Sequence, residues 1–201
     1  MRQLIASLAK AYITPVLSAH GFRRSGLTWN RRLPGIVHVL NIQVSRWSDE
    51  EQVHFTVNIG VSVEQVWRIC RDKPVPKTVR ESDCFPRSRV SYVMDSVRDI
   101  WWVLGTPADV ERTGIEIQDI LLNKCIPFLS KQDSLGGIVA VADDPALRRM
   151  PVEQLSYAIL KHLTGARAEA RQILDAWLAD EKRQAWHDCV RGVRERLACM
   201  P

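Results

Sequence analysis

The sequence predicts an α+β fold: an antiparallel sheet of about four or five strands, packed by an N-terminal helix and a central helix and followed by a helical C-terminal section. Three observations carry this. Residues 36–45 and 53–63 alternate apolar and polar positions with a period of two, and a short polar stretch joins them, the signature of an antiparallel hairpin. Apolar residues near the N-terminus and again before Pro127 recur at spacings of three and four, as does the whole stretch from Val152 onward. One face of the predicted sheet is apolar enough to need a cover, which the helices supply.

Each element follows in order. Ile5, Leu8, Tyr12 and Val16 share one helical face, and Pro15 within it should kink or divide the helix. This acid-free segment superficially matches a mitochondrial transit peptide, but it runs into strand-like sequence with no linker and reads as the first helix of the mature protein. Gly21 ends it in a left-handed conformation. Residues 26–32 read as a strand with Leu27, Trp29 and Arg31 on one face, closed by a Pro34-Gly35 turn. In 36–45, Ile36, His38, Leu40, Ile42 and Val44 share one face, and Val37, Val39, Asn41, Gln43 and Ser45 the other. In 53–63, Val53, Phe55, Val57, Ile59, Val61 and Val63 lie together, while Asn58 and Ser62 extend the polar face. Residues 73–86 read as an extended loop, 89–94 as a further short strand, and 99–104 as an apolar run ending at Gly105. Thr106 as cap and Pro107 in the first turn start a helix that passes through Val110, Ile117, Ile120, Leu121 and Leu122 towards Pro127. Beyond it, Leu155, Ile159 and His162, then Ala166, Ala170, Ile173 and Trp177, then Trp186, Val190, Val193 and Leu197 mark three helical faces. This gives a body over 1–130 and a helical extension over 131–201 packed on or beside it.

Composition narrows the class. The chain is 46 % hydrophobic and 25 % charged, values of an ordinary globular protein that exclude disordered, collagenous and coiled-coil classes. No apolar run reaches the ~18 residues of a membrane span, so a soluble protein without a membrane partner is expected. Cys70, Cys84, Cys125, Cys189 and Cys199 form no C-x-x-C pair and are odd in number, which points to reduced thiols and a cytoplasmic location. The histidines are scattered, so neither a metal nor a cofactor is expected. Charge is uneven. Residues 1–100 carry 15 Lys and Arg against 9 Asp and Glu, and no acid precedes Asp49. Arg23, Arg24, Arg31, Arg32 and Arg46 interleave with Phe22, Trp29 and Trp47, a composition that suits phosphate backbones and base stacking. The plainer alternative is a solvated sheet face whose arginines pair with acids from elsewhere in the chain, Asp49, Glu50 and Glu51 being nearest.

Further residues carry a resemblance. Gly21-Phe22-Arg23-Arg24 with Thr28-Trp29, the run Val39–Ser45, the run Phe55–Val61, Arg89-Val90-Ser91, Asp99-Ile100-Trp101-Trp102 and Ile126-Pro127-Phe128-Leu129 together resemble the bacterial family catalogued as domain of unknown function 4304, over residues 4–129. Ser91 stands where a glycine is expected and Val44 where a lysine is expected. The resemblance implies an α+β fold and supplies no active site, cofactor or substrate.

No nucleophile elbow, Walker loop or dinucleotide fingerprint is present, and Asp95 with Asp99, four apart, reads as a solvated pair, so no enzyme is expected. Asp99 is expected to pair with an arginine of the basic strands. Of Trp101 and Trp102, one ring should lie in the core and one outside. The candidate partner-binding residues are Arg23, Arg24, Trp29, Arg31, Arg46, Trp47 and Trp102, with no catalytic residue or metal ligand. They lead to a non-catalytic protein-interaction module of immunity or adaptor type, the alternative being a nucleic-acid-associated protein that uses the basic N-terminal segment.

Overall fold

A computed structural model describes residues 2–71 and 73–200. The chain opens with α1 (Arg2–Leu8), a π-helical turn (Ala9–Ile13) and α2 (Thr14–Ala19), which run on as one continuous helix. Pro15 therefore does not divide it. A proline lacks the N–H its turn needs and crowds the carbonyl four residues back, and the wider π-turn just before it makes the room. The extra residue in that turn also rotates the buried face, which is Ile5, Leu8 and Ala9 followed by Ile13 and Leu17 in place of Tyr12 and Val16. Gly21, at φ +82°, stops the helix as expected.

Three antiparallel strands and a long fourth follow: β1 (Arg23–Ser25), β2 (Thr28–Leu33), β3 (Ile36–Val44) and β4 (Val53–Val63). Then come α3 (Glu64–Arg71), β5 (Arg87–Arg89), α4 (Val90–Val93) and β6 (Trp102–Leu104). The strand expected over 89–94 is thus a three-residue strand followed by a helical turn, because the chain bends at Val90 to bury that side chain and Ser91. The sheet order is β1-β2-β3-β4-β5, and β6 also pairs with β4. β5 lies opposite Asn58–Gly60 and β6 opposite Val53–Phe55, so the two short strands divide the second edge of β4 between them.

Thr106 and Asp109 cap each other's backbone at the start of α5 (Pro107–Ile120), which runs through a second π-turn (Leu121–Cys125) into α6 (Ile126–Ser130). Pro127 sits just after this turn as Pro15 does after the first. The chain ends in α7 (Leu135–Ala142), α8 (Pro151–Leu163), α9 (Arg167–Ala179) and α10 (His187–Ala198).

The two sheet faces have different fates. The inner face, with Trp29, Leu40, Ile42, Phe55, Val57 and Ile59, joins one buried cluster with α1–α2, α5–α6 and the C-terminal residues Leu155, Ile159, Val190 and Val193. The outer face is covered only in part. Val37 and Val39 meet Val79 and Cys84 of the 73–86 segment in a small second cluster. That segment lies so close that a Cβ on Gly60 would stand 2.5 Å from the Cys84 Cβ, so a side chain at 60 is excluded by packing.

Candidate anion-binding surface

The strand register defines the outer face. Thr28, Asn41, Asn58 and Arg89 form one row across β2, β3, β4 and β5. Their side chains are linked: Asn41 donates to the Thr28 hydroxyl at 3.0 Å, and Asn58 donates to the carbonyl oxygens of Asn41 at 3.4 Å and Gln43 at 3.0 Å. At the end of the row Arg89 pairs with Asp99, which also accepts from the Ser91 hydroxyl, and Arg89 lies over the ring of Trp101. Thr56 donates to the Ile100 carbonyl. The 99–101 segment thereby covers one end of the face and the 73–86 segment the other, with exposed Gln43 and half-buried Asn41 between them.

Beside this row, towards the β1 edge, lies a groove of about 620 Å³ lined by Arg23, Arg24, Ser25, Asn30, Arg32 and Lys77, with Gly21 and Thr78 at its ends. Its far wall is brought in from the loop. Buried Asn30 donates to the Val79 carbonyl at 3.0 Å and accepts from the Val79 amide at 2.8 Å, the pairing a neighbouring strand would make. Arg32 donates to the carbonyls of Pro76 and Lys77. Arg24 donates to the Gly26 carbonyl and lies over the Trp29 ring. The side chains of Arg23 and Lys77 have no hydrogen bond or ion pair among the described residues. Every lining cation is thus bound by neutral groups or by none, and no carboxylate lines the groove. Asp49, Glu50 and Glu51, the acids nearest in sequence, do not line it, whereas Arg31 outside the groove does pair with an acid from elsewhere, Asp133. Asp49 instead accepts from the amides of Gln52 and Glu51, which hold its carboxyl below the usual range.

The structure sorts the seven predicted residues. Arg23 lines the groove, Arg24 stands at its edge with its guanidinium over the Trp29 ring, and Arg46 lies over the ring of Trp47, which is 74 % exposed in the β3–β4 loop. Trp29, Arg31 and Trp102 belong elsewhere, and strand parity is the reason. Trp29 stands opposite Leu40 on the inner face, 1 % exposed, with its N–H donated to the Thr14 hydroxyl. Trp102 stands opposite Phe55 and stacks on it, so Trp101 is the partly exposed member of the pair. Arg31 stands opposite His38 and works inside the fold. It donates to His38 Nδ1 at 2.9 Å and pairs with Asp133 at 3.0 Å, while His38 Nε2 meets the Gln132 carbonyl at 3.1 Å. Arginine can only donate, so His38 is the neutral tautomer carrying its proton on Nε2. Burial lowers its pKa and the adjacent Arg31 lowers it further.

Burial pushes the Cys70 thiol up to about 11 and the Cys125 thiol up to about 12, and it raises Cys84 as well. Among the described residues no three His, Cys, Asp or Glu side chains are placed to hold a metal ion, and no helix is long and apolar enough to cross a membrane.

A family model described as Domain of unknown function (DUF4304) matches residues 13–131. The chain belongs to the DUF4304 family. The DUF4304 match takes in the whole sheet, both walls of the groove and the helix through α6, and it ends one residue before the Gln132 carbonyl that holds His38. No curated protein and no solved structure shows a match to this chain.

Proposed function

We propose that this DUF4304 protein is a non-catalytic binding module that takes an anionic partner on the outer face of its sheet. One observation carries the reading: three cations, Arg23, Arg32 and Lys77, line an outer-face groove without a carboxylate, while Arg24 stands at its edge with its guanidinium over the inner-face ring of Trp29. Such an arrangement concentrates positive potential and attracts negative charge. The side chains best suited to chemistry support a non-catalytic role, since the buried thiols are protonated at neutral pH and both ring nitrogens of His38 are engaged within the fold. An immunity or adaptor protein would meet an acidic patch on its target there, and a nucleic-acid-associated protein would meet phosphates. The test is capture of partners by tagged protein from its native lysate at low and high salt, beside the Arg23→Ser/Lys77→Ser variant. The expected result is a partner lost both at high salt and in the variant. A partner retained equally in both refutes the reading.

A further inference from the structure

We infer that the groove between β1–β2 and residues 76–78 holds the phosphate backbone of a single-stranded nucleic acid, with the bases turned towards the amide row. This rests on the reading of the outer face as the binding surface and names the ligand for it. The cations are strung along the groove and do not converge on one point. Arg23 stands opposite Asn30 on β2, Arg32 lies two residues further along the same strand, and Lys77 faces them from the loop. A line of cations fits a chain of phosphates better than one small ion. Arg32 spends one nitrogen on the two loop carbonyls and keeps its other N–H groups, and Arg23 and Lys77 keep all of theirs.

The neighbouring surface supplies what bases need. Buried Asn58 and half-buried Asn41 spend their NH₂ groups within the fold and hold exposed Gln43 in place, so Gln43 is the amide presented to the edge of an unstacked base. The Gln43 oxygen is fixed by Asn58, so its NH₂ group is the part left for a ligand. At the far end of β3, exposed Trp47 under Arg46 provides an aromatic face of the kind on which bases stack. A nine-residue strand extends about 30 Å, room for a few nucleotides. An acidic polypeptide answers the charge equally well, but protein interfaces are anchored by aromatic residues at their centre. Trp29, the ring nearest this groove in sequence, is buried on the opposite face of the sheet.

The experiment is fluorescence anisotropy of labelled single-stranded oligonucleotides, DNA and RNA, titrated with the full chain, with duplex DNA and polyglutamate as comparisons. Three phosphate contacts at a slope of about −0.7 each lower the affinity about 20-fold between ~50 and ~200 mM salt. Arg23→Ser/Lys77→Ser, at exposed positions without internal partners, should retain the wild-type melting curve, weaken binding and flatten the salt slope by about two-thirds. Gln43→Ala should change the preference among base sequences and leave the slope intact. No binding to any single strand at low salt overturns the inference, as does binding that the double variant leaves unchanged. Tighter binding to polyglutamate than to any oligonucleotide overturns it too, while sustaining the broader anionic reading. Failure of every polyanion removes both.

Discussion

Replacing Asn30 by Ala tests the link between the fold and the groove. The Asn30 amide makes two hydrogen bonds, 3.0 and 2.8 Å long, to the backbone of Val79, a fully buried residue 49 positions away. The substitution strips both partners from a buried N–H and C=O. At about 1–2 kcal/mol for each group left unsatisfied, the expected loss is about 2–4 kcal/mol. In urea, with a slope of about 2 kcal/mol per molar, this moves the unfolding midpoint down by about 1–2 M. Because those two bonds hold the wall that carries Lys77, the Val79 amide should also lose its protection from hydrogen exchange before the strands do. A midpoint shift below about 0.3 M with Val79 still protected refutes the reasoning. The wall would then be held by the small apolar cluster and Arg32 alone.

Other expectations follow from the same contacts. His38 has a folded pKa below its ordinary 6.5, so the unfolded chain binds the extra proton. Stability should be fully present above about pH 6.5 and fall as pH drops below it, and a His38→Gln variant should show a flatter profile in urea titrations at several pH values. Gly60→Ala places a methyl 2.5 Å from the Cys84 Cβ and should destabilise by about 1–3 kcal/mol in the same assay. A thiol reagent at neutral pH should label exposed Cys189 and Cys199 first by mass spectrometry, and Cys84 and Cys125 only on unfolding.

The hairpin was legible because alternation over nine and eleven residues leaves only one face for the core. Short or polar elements were not. β1 is three residues without an apolar side chain, and α3 shows only Val66 and Ile69 buried, a spacing that also fits a turn. The acid-free segment pointed to a basic surface, but composition could not tell outward from inward arginines. Strand parity could: Arg31 shares its face with Trp29 and Leu27, whereas Arg23 and Arg32 share the other. Lys77 had no local signal, since only the Asn30–Val79 pairing carries it to the groove.

The most direct test is an amide ¹H–¹⁵N spectrum of the labelled chain during addition of a short single-stranded oligonucleotide. Binding as proposed shifts the resonances of Arg23, Arg24, Ser25, Arg32, Lys77 and Thr78 first, with Asn41 and Gln43 following. Shifts confined to the C-terminal helices, or none at low salt, contradict it.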